Sequence, residues 1–274
     1  SAIVFTPHSI NGGVKGILSI HATDLNGDGR TDLLYTSIES NTILWLENQG
    51  GDSYTSHVIS NGIKGSTSVF PIDLNGDGNI DIVSSSFNNN TISWYKNNGQ
   101  GIFFKQLITK DSNGPWAVFA DDIDGDSDID ILSINEHDNS IVWYSNIGQE
   151  SFKANIIDNK AENIWTIYTA DIDTDGDIDI LTETAEKNKI IWYSNNGDQK
   201  FIKQSKKNNS DPIFSKSVFD ADADGDLDIF PVLSNNDAII WYENVDKTTI
   251  MEHKIVEEVN EVSAIAKGDM DGDG

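Results

Sequence analysis

Asp24-Leu-Asn-Gly-Asp-Gly-Arg-Thr-Asp32 places oxygen-bearing side chains at positions 1, 3, 5 and 9 of a nine-residue stretch, with glycine at position 6. The same form returns as Asp73 to Asp81 (DLNGDGNID), Asp122 to Asp130 (DIDGDSDID), Asp171 to Asp179 (DIDTDGDID) and Asp220 to Asp228 (DADADGDLD). It opens a last time at Asp269-Met-Asp-Gly-Asp-Gly274, where the sequence stops. The starts at 24, 73, 122, 171, 220 and 269 define a period of 49 residues. A second marker keeps the beat: Trp45, Trp94, Trp143, Trp192 and Trp241 are each 49 apart, mostly within W-Y-x-N. A fixed period of this size marks a stacked or radial repeat architecture.

Period-two alternation and turn punctuation divide one repeat into strands. In the third, Ala117–Ala120 leads into the acidic loop and Asp130–Ser133 leaves it. Ser140–Tyr144 and Phe152–Ile157 follow, separated by the polar turns Glu136–Asn139 and Asn146–Gly148. Four short antiparallel strands per repeat predict an all-β fold, a β-propeller of four-stranded blades. No segment carries a 3.6-residue periodicity, so helix is expected to be nearly absent. Residues 1–274 read as one propeller domain: 1–10 an outer strand of a closing blade, five full repeats over about 11–255, and 256–274 the start of a sixth. The expectation is a natural protein of six to seven blades that continues beyond this chain.

The chain has 45 acids against 18 bases, a formal charge of −27. Nucleic acid is excluded as a partner, because phosphate binding needs clustered Lys and Arg. There is no cysteine, so disulfides and thiolate metal sites are excluded. No apolar run is long enough to insert in a membrane. The N-terminal residues have no basic-then-apolar signal pattern, as a mature, processed chain would also show.

The acids are concentrated. The six loops hold 3, 3, 5, 5, 5 and 3 of them, 24 of the 45. A hard cation such as Ca²⁺ takes about 6–8 oxygens at roughly 2.3–2.6 Å. Acids at positions 1, 3 and 5 of a tight loop converge on one point. Position 7 offers a backbone carbonyl, position 9 closes the cage, and glycine at position 6 supplies the sharp turn. The candidate metal residues are Asp24, Asn26, Asp28, Arg30 and Asp32; Asp73, Asn75, Asp77, Asn79 and Asp81; and Asp122, Asp124, Asp126, Asp128 and Asp130. To these are added Asp171, Asp173, Asp175, Asp177 and Asp179; Asp220, Asp222, Asp224, Asp226 and Asp228; and Asp269, Asp271 and Asp273. Asn26 and Asn75 keep an oxygen at position 3 with one charge less. An EF-hand would require Glu at position 12, where this chain has Tyr35, Ser84, Ser133, Thr182 and Pro231. About five bound Ca²⁺ would bring −27 to −17 and relieve self-repulsion.

Two details stay open at the level of residue type and spacing. Ser127 stands at position 6 of the third loop. In the fifth repeat, Ser217-Val218-Phe219 resembles Ser68-Val69-Phe70 but sits two residues nearer its loop. Either the inner strand is shorter there, or the loop is contracted and starts at Asp222.

The motif D-x-[DN]-x-D-[GS]-x-x-D, followed by N-x-I-x-W-Y-x-N, resembles the FG-GAP/VCBS repeat family over nearly the whole chain. Its calcium-loaded propellers include the integrin α-subunit head and many bacterial secreted proteins. The resemblance implies calcium at the loops and an extracellular, secreted or cell-surface setting. It does not specify function, because the scaffold serves adhesion, glycan binding and, in some relatives, polysaccharide-lyase chemistry. His8, His57 and His253 share one slot on the fourth strand and read as structural, leaving His21 and His137 outside it. No nucleophile elbow or phosphate loop is present. The expected function is a binding or adhesion module for a glycan or a cell-surface protein, not an enzyme. The alternative is the propeller portion of a larger polysaccharide-degrading enzyme. Trp116 and Trp165 occupy one slot in neighbouring repeats, which Phe214 shares by counting. They are the candidate ligand residues, because flat aromatic faces stack on sugar C–H surfaces. Ordinary packing between blades is the competing role.

Overall fold

The computed structural model describes residues 14–51, 53–161, 163–184, 189–207, 213–222, 227–233, 238–246 and 249–257. The strand proposed at 1–10, Asp224 and Asp226 of the fifth loop, and Asp269, Asp271 and Asp273 of the sixth lie outside the described residues. So does the residue range 185–188.

Five four-stranded antiparallel sheets follow one another, one per repeat, each with its strands in chain order. The first contains β1 (Ile17–Thr23), β2 (Asp32–Ser37), β3 (Thr42–Gly50) and β4 (Ser53–Asn61). The second contains β5 (Ser66–Ile72), β6 (Asp81–Ser86), β7 (Thr91–Asn97) and β8 (Phe103–Thr109). The third contains β9 (Pro115–Asp121), β10 (Asp130–Asn135), β11 (Ser140–Asn146) and β12 (Phe152–Asp158). The fourth contains β13 (Ile164–Ala170), β14 (Asp179–Thr184), β15 (Lys189–Asn195) and β16 (Phe201–Lys207). The fifth contains β17 (Ile213–Phe219), β18 (Asp228–Leu233), β19 (Ala238–Asp246) and β20 (Thr249–Glu257). These are propeller blades, and the strand spans of the third match the alternation in the sequence to within two residues. One 3₁₀ turn, Phe87–Asn89, is the helical element among the described residues.

The chain forms two compact units, Ser1–Ala120 with Asp128–Asn155, and Asp121–Ser127 with Ile156–Gly274. In the first unit, two apolar layers alternate with three sheets. Leu34, Ile43 and Trp45 pack against Val69, Ile82 and Tyr95, and then Val83, Ile92 and Trp94 pack against Val118, Ile131 and Val142. The second sheet is therefore covered on both faces. That explains why β6 is buried at every residue, whereas β8 has no fully buried residue. Burying both faces supplies the main stabilising term, at about 25 cal/mol per Å² of apolar surface. In the second unit Ile167, Ile180, Leu181 and Tyr193 repeat the pattern.

Candidate metal centres

Each of the first five acidic loops joins the end of a blade's first strand to the start of its second. Its backbone folds around the first carboxylate. Asp24 accepts hydrogen bonds from the N–H groups of Gly27 (2.8 Å), Asp28 (3.2 Å) and Gly29 (2.7 Å). Asp73 accepts from Asp77 and Gly78, Asp122 from Asp126 and Ser127, and Asp171 from Asp175 and Gly176, at 2.7–3.1 Å. The fifth position holds the N–H of the seventh: Arg30 to Asp28, Asn79 to Asp77 and Asp177 to Asp175, at 2.9–3.0 Å. Such a tight wrap needs left-handed backbone at position 6, where Gly29, Gly78 and Gly176 have φ of +83°, +86° and +97°. Ser127 adopts φ +75°, so the third loop keeps the turn without glycine.

Position 9 is the rivet between the two sequence markers. Asp32, Asp81, Asp130, Asp179 and Asp228 are 0–1% exposed. One oxygen of each accepts the backbone N–H of the W-Y-x-N asparagine: Asn48, Asn97, Asn146, Asn195 and Asn244, at 2.7–2.9 Å. The other oxygen accepts the indole N–H of Trp94 or Trp143, both at 2.9 Å. In the first, fourth and fifth loops it accepts a backbone N–H from Leu25, Ile172 or Ala221, at 2.9–3.1 Å. The acidic loop and the tryptophan motif keep one beat because they are two halves of one hydrogen-bonded unit. Desolvation pushes Asp81 and Asp179 up to about 6, against the pull of their hydrogen bonds from Asn97 and Asn195.

The asparagine also explains its own place in the motif. Asn97 donates its side-chain amide to the Ile80 carbonyl (2.9 Å) and to the Leu25 carbonyl of the preceding loop (2.7 Å). Asn195 does the same with Ile178 and Ile123, and Asn244 with Ile172. An ordered acidic loop is thus part of how one blade grips the next.

Position 3 divides the loops. Asn26 and Asn75 donate their amides to Asp28 and Asp77 (3.1 and 2.9 Å). Asp124 and Asp173 have nothing to donate. One oxygen of each is held by Gln199 (3.1 Å) or Ser194 (3.0 Å). Their Oδ1 atoms are buried without a hydrogen-bond partner. Carboxylate oxygens approach within 4.8 Å of one another in three groups: Asp122, Asp124 and Asp126; Asp171, Asp173 and Asp179; and Asp220, Asp222 and Asp228. These groups can hold a metal ion, and an orphaned buried anionic oxygen is the feature a cation would satisfy.

The fifth loop is not contracted. β17 pairs Phe219 with Asp228 as β5 pairs Ile72 with Asp81, and Asp220 takes the first position. The likeness of Ser217-Val218-Phe219 to Ser68-Val69-Phe70 misleads by two residues, because alternation on a strand is satisfied equally well by either register. Counting is right, and it puts Phe214 in the slot of Trp116 and Trp165.

That slot is the second residue of the first strand, at the end of the sheet away from the acidic loop. It is a β-bulge: the register skips Thr67, Trp165 and Phe214. A bulge frees a residue from the ladder and re-aims its side chain. Trp165 is 53% exposed. Trp116 is half-buried and meets Phe87 edge-on at 5.9 Å, so packing accounts for part of it. The Phe214 side chain lies outside the described residues. Among the histidines, His57 stacks on Trp45 at 4.5 Å and His253 on Trp241 at 4.7 Å, each hydrogen-bonded to a glutamate, Glu47 or Glu243. His21 lies edge-on to Phe70, and burial pushes its imidazole down. His8 lies outside the described residues.

Sequence reasoning missed position 4 of the loops. Gly27, Gly76, Gly125 and Thr174 there are also left-handed, at φ +73°, +68°, +71° and +54°. Glycine in three of these four places was the available signal.

An FG-GAP-like repeat model matches residues 24–84, 73–133 and 122–182, more than half of the chain. The chain belongs to the FG-GAP-like repeat family. Among solved structures it resembles a lectin from Agrocybe aegerita that recognises non-reducing terminal N-acetylglucosamine, at 20% identity and TM-score 0.64, over 88% of this chain and 66% of the lectin. It therefore spans just under two thirds of that protein. It also resembles virginiamycin B lyase from Staphylococcus aureus, at 16% identity and TM-score 0.55, over 89% of this chain and 71% of the lyase. A third likeness is to the Pseudomonas aeruginosa periplasmic gluconolactonase, at 12% identity and TM-score 0.55, over 86% of this chain and 69% of the enzyme. At these identities the likeness is one of fold. No curated protein sequence matches the chain. Among the described residues no helix is long and apolar enough to cross a membrane.

Proposed function

We propose that the protein is a calcium-stabilised extracellular binding module whose ligand is carbohydrate, and that it works without catalysis of its own. The observation that carries the calcium reading is the orphaned, buried carboxylate oxygen in the third and fourth loops. Oxygen donors, high local charge and no sulfur suit Ca²⁺, and modest affinity suits a setting where that ion is millimolar. The carboxylates at positions 1, 3, 5 and 9 would hold it, with the position-7 carbonyl. Its charge would offset repulsion that otherwise opposes folding.

The carbohydrate reading is supported by Trp165, an indole presented to solvent on a bulge. The likeness to a lectin agrees with it without carrying it. The test is a glycan array probed in calcium and again after chelation. Binding that disappears with chelator supports the whole reading. An array blank in both conditions removes carbohydrate and leaves a cell-surface protein as the ligand class to examine.

A further inference from the structure

Position 3 of an acidic loop carries a side chain with two polar ends, an oxygen and a nitrogen in an amide or two oxygens in a carboxylate. Only an oxygen serves a hard cation. Which end is left to the loop is settled from outside it. In the fourth loop Ser194, on β15, donates its hydroxyl to Asp173 Oδ2 (3.0 Å). Asp173 Oδ1 is left buried and unpartnered. In the third, Gln199, in the turn after β15, donates to Asp124 Oδ2 (3.1 Å), and Asp124 Oδ1 is left in the same state.

The first loop is served with the polarity reversed. Glu47 holds on β3 the place that Ser194 holds on β15, two residues after the tryptophan. An ionised carboxylate only accepts, so Glu47 Oε1 takes the N–H side of the Asn26 amide (3.1 Å). That fixes which way the amide faces. Asn26 Oδ1 is turned back over its own loop, where it accepts the Asp28 N–H (3.2 Å). Glu47 is itself anchored, because its Oε2 is hydrogen-bonded to His57 Nε2 (2.8 Å) on the neighbouring β4. The histidine slot of the fourth strand thereby acquires a role. The second loop has the same first six residues as the first, but Lys96 stands in the place of Glu47. Its ammonium has donors only and goes to Glu150 (3.1 Å). The outer partner is thus matched to position 3 in three loops, a donor for each aspartate and an acceptor for Asn26.

We infer that Glu47, Ser194 and Gln199 are positioning residues for calcium at the first, fourth and third loops. Each takes one polar atom of position 3 from outside and leaves an oxygen to the loop. The inference rests on the calcium reading above. Removing an outer partner of this kind costs about 10–100-fold in metal affinity.

The test is a calcium titration of the chelator-stripped chain followed by NMR. The N–H groups of Gly29, Gly78, Ser127 and Gly176 each donate to the first aspartate of their own loop, so each amide resonance reports one loop. Ser194→Ala should weaken the fourth loop by about tenfold or more and leave the second unchanged. Ser194→Thr keeps the hydroxyl and should restore it. Glu47→Leu should weaken the first loop by about tenfold or more. Glu47→Gln still offers an acceptor oxygen and should recover most of the affinity. Gln199→Ala should weaken the third loop severalfold. Should one alanine or leucine variant fail to fold, the other loops decide. Wild-type filling of the fourth loop in Ser194→Ala and of the first in Glu47→Leu overturns the assignment while leaving the calcium reading standing. Threonine and glutamine variants as weak as alanine and leucine also overturn it, because bulk or charge would then set the affinity. Loop amides that do not move with calcium in the unaltered chain mean that the calcium reading has failed, and the positioning roles with it.

Discussion

The first two acidic loops and the fourth solve one problem in opposite ways. Loops one and two carry three acids each, the fourth carries five. In the first pair an amide at position 3 donates to the acid at position 5. A base stands close by, Arg30 on Asp28 at 2.5 Å, and against its desolvation the Asp77 carboxyl is drawn down by hydrogen bonds from Asn75 and Asn79, with Lys96 adding a smaller pull. In the fourth loop Asp173 replaces the amide and leaves a buried oxygen unpartnered. Asp124 of the third loop is in the same condition, and burial with Asp126 beside it pushes its carboxyl up. Two loops are thus satisfied from within, and two keep a buried carboxylate oxygen that no hydrogen bond within the loop satisfies.

The largest consequence is on calcium removal. A site held at 100 times its Kd stabilises by about 2.7 kcal/mol, so two such sites amount to roughly 5 kcal/mol, or about 10 °C in Tm. The melting temperature should fall by about that amount on chelation. Hydrogen exchange should quicken at Asp171–Asp179 before it does at Asp24–Asp32. The opposite order would break the comparison.

Proton binding should then separate the two states of the protein. The folded-state values of Asp81 and Asp179, about 6, lie above the ordinary carboxylate value. For such groups the stabilising contribution is fully present below about pH 4 and is lost as pH rises through about 6. In chelator, Tm should therefore climb by a few degrees as pH drops from 7 to 5. In calcium the ion competes for the ionised carboxylates, and the climb should flatten or reverse. A fall in both conditions would show that these aspartates are not held against their charge.

Much of this architecture is legible in residue type and spacing. The period, the strands, the blade and the loop positions 1, 3, 5 and 9 follow from them, because each depends on local chemistry. What is not legible depends on contacts between repeats. Nothing in W-Y-x-N announces that Asn97 will reach the Leu25 carbonyl, 72 positions earlier. Nor does a glycine in a turn announce a tryptophan 56 residues away: a Cβ at Gly101 would lie 2.6 Å from the Trp45 ring. The false register at Phe219 arises because strand alternation tolerates a two-residue slip that only pairing partners exclude.

Asp173→Asn would convert the fourth loop to the design of the first two. One ligand charge is lost, so its calcium affinity should fall about tenfold. Without calcium the same change should raise stability by about 1 kcal/mol, since the amide can donate to Asp175 and the orphaned oxygen disappears. The two effects have opposite signs, which a merely structural aspartate would not produce. Calorimetric calcium titration and apo melting on one preparation read both. A loss of apo stability would mean that the unpartnered oxygen is no burden.

The smallest effect isolates backbone from charge. Thr174 occupies position 4 of the fourth loop with φ +54°, where the first two loops have Gly27 and Gly76. A β-branched residue in left-handed backbone costs on the order of 1–3 kcal/mol. Its side chain is exposed, so replacing it removes little packing. Glycine gives back part of the gain through greater unfolded-state freedom. Thr174→Gly should therefore raise apo stability by about 0.5–1 kcal/mol, seen as roughly 1–3 °C in Tm. It should leave the number of calcium ions unchanged and tighten binding slightly, because the loop no longer has to be forced into its wrap. A lower Tm would show that the threonine holds the loop by a contact worth more than the strain. The fourth loop would then differ from the first two in its backbone as well as in its charge.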